Sequence, residues 1–144
     1  MTLTQPQIVL ASGSPRRKQM LENLGIDIAV IPSNAAEDEL PGETPKEHVV
    51  RLSIAKAKEV AGRNDVPGRW FIGSDTIVLQ NGTILGKPAD ADAATEMLRS
   101  LSGNDHHVLS GYAIFDRQTG ELIADAVATR VHFRELTEPE IAGY

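Results

Sequence analysis

No cysteine occurs among the 144 residues, so neither a disulfide framework nor a thiolate metal site can be built from this chain. Redox chemistry therefore leaves the compartment open, and the cytoplasm is the default expectation. Aromatic residues make up only 4% of the sequence, and positive charge is not in excess, the formal net charge being −6. Both scarcities argue against a nucleic-acid partner, which calls for a basic surface interleaved with stacking groups. A small phosphate ligand is still compatible, because a few local cations suffice against a modest global field. No apolar run approaches the ~18 residues of a membrane span and no signal pattern opens the chain, so no membrane partner is expected. Repeats, low-complexity tracts and linkers are also missing, and residues 1–144 read as a single domain.

What is present is ordinary globular composition, with 41% hydrophobic and 24% charged residues. Period-2 and apolar runs predict strands over 8–11, 26–31, 70–79, 83–85, 107–116 and 122–133, with residues 73–76 interrupting the third. Ser14-Pro15 and Thr44-Pro45-Lys46-Glu47 are helix starts, and Asp90 or Asp92 caps a third helix. Met20, Leu21 and Leu24 share one face of the first helix. Val49, Val50, Ile54, Ala57, Val60 and Ala61 mark the inner face of the second, and Ala94, Met97, Leu98 and Leu101 that of the third. Asn81-Gly82 is a hairpin turn. Early strands alternate with helices and later ones pair as hairpins, which predicts an α/β fold with a mixed sheet.

Four segments carry residues suited to chemistry. Ser12-Gly-Ser-Pro-Arg-Arg17 places Arg16 and Arg17 in the first turn of a helix, the end already positive from its free N–H groups. The residues alone leave two readings: a cap with two solvated arginines, or a phosphate cradle. Asp75 lies within an apolar strand, where burial is costly unless it is paired, hydrogen-bonded or metal-bound. That suits a metal ligand or general base, and equally a bulge satisfying local backbone. Gly82-x-x-x-Gly86-Lys87-Pro88 is one residue short of a P-loop and lacks its Ser or Thr, so that reading is rejected and Lys87 is kept as a phosphate contact or a solvated turn lysine. Glu37-Asp38-Glu39 is a solvated acidic loop unless a divalent cation must be held near phosphates. Lys56 leans toward the apolar face of its helix more than Lys58 does. His106-His107 has no spaced partner ligands and reads as structural.

Taken together, Leu10-Ala-Ser-Gly-Ser-Pro-Arg-Arg17, Ile72-Gly-Ser-Asp-Thr-Ile-Val78, Leu85-Gly-Lys-Pro88 and Leu101-Ser-Gly103 followed by His107 resemble, in order and spacing, the Maf family of nucleoside triphosphate pyrophosphatases. The resemblance implies a fold like that of inosine-triphosphate pyrophosphatases, with an elongated mixed sheet flanked by helices, two lobes and a central cleft, and in many members a homodimer. It implies a Mg²⁺- or Mn²⁺-dependent hydrolase that cuts a nucleoside triphosphate into monophosphate and pyrophosphate. Carried over by residue, it makes Ser12, Arg16, Arg17 and Lys56 phosphate-binding, and Asp75, Lys87 and Glu37 catalytic, with Glu37 and Asp75 holding the metal. Arg17 and Thr76 would set specificity for dTTP and UTP, modified pyrimidine nucleotides included. The alternative is a catalytically weak nucleotide-binding or regulatory module linked to septum formation and cell-division arrest. Thr137-Glu138-Pro139-Glu140 is a capping box only one turn before Tyr144, and the resemblance implies a further Gly-rich segment beyond it, so this reads as a longer domain cut short.

Overall fold

A computed structural model describes residues 7–86 and 88–143. Strands β1 (Ile8–Leu10), β2 (Ile28–Val30), β3 (Trp70–Gln80), β4 (Thr83–Leu85), β5 (Asp105–Asp116) and β6 (Leu122–His132) form one six-stranded sheet. Helices α1 (Pro15–Asn23), α2 (Pro45–Ala61), α3 (Ala91–Leu101) and α4 (Glu138–Ala142) accompany it. The sheet order is β2-β1-β3-β5-β6, with β4 paired to β3. It is mixed, since β1 is parallel to both β2 and β3 while β4 is antiparallel to β3. This is the mixed α/β sheet flanked by helices that the sequence predicts. The chain divides into two compact units: residues up to Asp75 with Ser110–Ala126, and Thr76–Leu109 with Val127 onward.

In the first unit, Thr44 caps α2 by accepting from Glu47 N, Pro45 occupies the first turn, and Gly62 closes the helix. The inner face of α2 meets the sheet, where Ala57, Val60 and Ala61 pack with Val9, Ala11, Phe71 and Ala113. Contact is at backbone level. A Cβ built on Gly73 would lie 1.9 Å from the Ser53 carbonyl oxygen, and one on Gly111 would lie 2.5 Å from that of Val49. Only glycine lets the helix lie this close to β3 and β5. Residues 73–76 do not interrupt β3, which runs unbroken from Trp70 to Gln80. Helix α1 is capped by Ser14 as expected, but it buries none of its residues, and Met20 and Leu24 are 59% and 71% exposed.

In the second unit, Asn81 (φ 51°) and Gly82 (φ 78°) make the tight turn from β3 into β4, the positive dihedrals of a primed hairpin turn. Asp90, rather than Asp92, caps α3 by accepting from Ala93 N. Of the four apolar positions expected inward on α3, only Leu101 is buried. Thr137 and Glu140 form a complete capping box on α4, and Arg99 joins α3 to α4 through Glu138 at 3.0 Å. No helix among the described residues is long and apolar enough to cross a membrane.

Candidate active site

Five of the residues singled out from the sequence meet in the first unit, around a single backbone carbonyl on β3. The turn leaving β1 folds back on itself, with Ser12 Oγ accepting from Ser14 N at 3.2 Å. Ser12 is buried, and its hydroxyl also accepts from Arg17 Nη1 at 3.1 Å. The same Nη1 approaches the Ser74 carbonyl at 3.5 Å. Lys56 Nζ, from α2, donates to that carbonyl at 3.4 Å and to Asp75 Oδ1 at 3.1 Å. Glu37, from the acidic loop, reaches the same ammonium at 2.9 Å. Ser74 is itself fixed to β5 by its hydroxyl, which donates to the Gly111 carbonyl at 2.8 Å.

The electrostatics follow from burial. The side chains of Lys56 and Asp75 are 14% and 12% exposed, whereas Glu37 is 64% exposed. Burial draws the Arg17 pKa down by penalising its charge, and the Asp75 carboxylate opposes that shift. Asp75 satisfies the expectation that an Asp in this strand needs a partner, but only with one oxygen: Oδ2 is buried and has no hydrogen-bond partner among the described residues. A buried carboxylate oxygen left unpaired costs about 1–3 kcal/mol, more when charged, so this atom is suited to a water, a proton or a cation. No group of three or more His, Asp or Glu side chains that could hold a metal occurs among the described residues. Mg²⁺ typically takes only one or two carboxylates and completes its shell with water and phosphate oxygens, so Asp75 and Glu37, both at Lys56 Nζ, fit that demand.

The remaining predicted residues are not among these five. Arg16 is exposed on the first turn of α1. Thr76 follows Asp75 in β3, is exposed, and belongs to the second unit. Lys87 lies outside the described residues. Lys58 is exposed and sits over the Phe115 ring at 5.7 Å rather than near Asp75. Sequence reasoning missed the Ser74 carbonyl as the meeting point, and Gly73 and Gly111 as the surfaces that seat α2. A glycine inside a strand pattern is the one signal that points to such a close approach.

Cations from two helices, Arg17 of α1 and Lys56 of α2, are thus gathered with a buried carboxylate at one strand of an α/β protein. A family model described as Maf-like protein matches residues 7–144, and the chain belongs to the Maf family. It is 61% identical over 137 residues to a dTTP/UTP pyrophosphatase of Syntrophotalea carbinolica, covering 95% of this chain and 62% of that protein. It is 46% identical over 144 residues to a dTTP/UTP pyrophosphatase of Geotalea uraniireducens, covering 100% of this chain and 73% of that one. A dTTP/UTP pyrophosphatase of Geobacter metallireducens is 47% identical over 138 residues, or 96% and 71% of the two chains. The chain thus spans between about three fifths and three quarters of the length of these relatives.

Proposed function

We propose that this chain is a nucleoside triphosphate pyrophosphatase acting on dTTP and UTP, yielding the monophosphate and pyrophosphate. The observation that carries this reading is the buried Asp75 carboxylate, with Oδ1 on Lys56 and Oδ2 open, beside the Arg17 guanidinium. The relatives named dTTP/UTP pyrophosphatase support the choice of substrate.

In this reading Arg17 and Lys56 receive the phosphate oxygens, and Arg16 and Lys87 add charge at the outer phosphates. These cations neutralise negative charge that builds on the leaving pyrophosphate. Ser12 holds the Arg17 guanidinium in place through its hydroxyl. Asp75 Oδ2 orients a water and accepts its proton as the water oxygen bonds to the α-phosphorus. The bond from that phosphorus to the bridging oxygen breaks, pyrophosphate departs with the electron pair, and the proton passes from Asp75 to solvent. Asp75 and Glu37 would hold a Mg²⁺ or Mn²⁺ ion, whose contribution when bound is to polarise phosphoryl oxygens and offset their charge. Arg17 and Thr76 are assigned to discrimination of the base.

The test is incubation of the chain with each common nucleoside triphosphate and Mg²⁺ or Mn²⁺, with separation of the products. Monophosphate and pyrophosphate from dTTP and UTP, lost on chelation, are expected. Orthophosphate release would place the cut at the wrong bond, and binding without turnover would favour a regulatory module.

A further inference from the structure

Glu37 is the most exposed of the gathered residues, and the loop that carries it has no regular structure between β2 and α2. Its place is nevertheless determined at both ends by side chains of α2. At the start of the loop, Glu59 Oε1 accepts from Asn34 N at 2.6 Å and from Ser33 Oγ at 3.2 Å. Arg63 grips Glu59 with two nitrogens and donates to the Pro32 carbonyl at 3.2 Å. At the far end, Arg51 Nη2 donates to the carbonyl of Asp38, the residue next to Glu37, at 2.6 Å. That guanidinium is in turn held by Glu43, through Nε at 2.6 Å and Nη2 at 3.1 Å. The Glu43 carboxylate is nearly buried, and His48 Nδ1 stands 3.2 Å from its Oε1. Arg51, held by Glu43, therefore spans from α2 to the carbonyl of the residue that follows Glu37.

We infer that Arg51, anchored by Glu43, is a positioning residue that holds the Glu37 carboxylate at Lys56 and Asp75. Its catalytic consequence rests on the function proposed above; its mechanical one does not. The fork of an arginine is required, since one guanidinium must satisfy a carboxylate and a carbonyl in fixed directions. Lysine at this position keeps a positive charge beside Glu43 but cannot serve both partners.

The experiment compares the wild-type chain with Arg51→Lys, Glu37→Gln and the double variant. Heteronuclear ¹H–¹⁵N NOEs at residues 37–39, recorded without nucleotide or metal, report their fast motion. They are expected to be high in the wild type and to fall in Arg51→Lys, while those of α2 stay unchanged. Turnover of dTTP is expected to drop roughly tenfold in Arg51→Lys, within the range that a small misplacement costs. In the Glu37→Gln background the same change should alter kcat less than twofold, because both substitutions remove one interaction. Equal NOEs in wild type and Arg51→Lys, or effects on kcat that multiply, overturn the inference. If Arg51→Lys fails to fold, Glu43→Gln loosens the same anchor and is read in the same way. A wild-type chain without turnover refutes the proposed function alone, since the NOEs still decide whether Arg51 orders the loop.

Discussion

Replacing Gly73 by alanine tests how the site is held together, since the added methyl has nowhere to go. Its Cβ would stand 1.9 Å from the Ser53 carbonyl oxygen and 2.8 Å from Ala57 N, both backbone atoms of α2. Ordinary contact begins at 3.4 Å, so helix and strand must part by about 1.5 Å. No side-chain rotation relieves this. Overpacking typically costs about 1–3 kcal/mol, and a rigid backbone clash belongs at the upper end. At this chain length about 3 kcal/mol lowers the melting temperature by roughly 6–12 °C. Lys56 lies between Ser53 and the end of α2, so the same displacement breaks its bonds of 3.1 Å to Asp75 and 3.4 Å to Ser74. A misplacement on the order of 1 Å costs about 10²-fold in rate. Thermal melting by circular dichroism and dTTP turnover, measured side by side, read both effects. Gly111→Ala is the internal comparison: its nearest contact is 2.5 Å, to Val49, further from Lys56 along the helix. It should destabilise less and slow turnover less. A folded Gly73→Ala chain with wild-type melting and turnover refutes the argument, as does a larger kinetic loss in Gly111→Ala.

Arg17→Lys removes the fork that reaches both Ser12 and Ser74, and should raise KM for dTTP roughly tenfold, the worth of one charge-assisted hydrogen bond, in steady-state kinetics. Lys56→Met leaves Asp75 buried without its cation, so turnover should fall about 10²-fold and stability by ~1–3 kcal/mol in urea titration. Acid should destabilise the first unit. The Arg63 guanidinium holds Glu59, and Arg69 holds Asp116, each down to about 2 from ordinary values of 4.5 and 3.8. Both carboxyls therefore favour folding above their ordinary values, and that contribution is lost as pH falls from about 4.5 toward 2. Fluorescence of Trp70 followed through that window should show the loss, moving to higher pH in Arg69→Gln.

Much of the site could be read before any coordinates, because its residues contradict their surroundings. Asp75 stands out as a charge in an apolar strand, and Arg17 as a cation at the positive end of a helix. What could not be read is which partners answer those contradictions. The interruption expected at residues 73–76 rests on poor strand formers, but β5 is a hydrogen-bonded neighbour of β3 and Ser74 is tied to it, and sheet context outweighs propensity. Lys56 and Asp75 are 19 positions apart, and only the seating of α2 on Gly73 brings them together. Met20 and Leu24 share a helical face, yet periodicity marks a face without saying that anything covers it. The role given to Arg51 depends on a loop with no periodicity at all.

The central claim is that Asp75 activates the water that cleaves the triphosphate, and Asp75→Asn tests it most directly. The substitution keeps the side-chain shape and removes the proton acceptor. Turnover of dTTP should fall by at least ~10²-fold with the fold intact and nucleotide binding retained. Unchanged turnover would contradict the account.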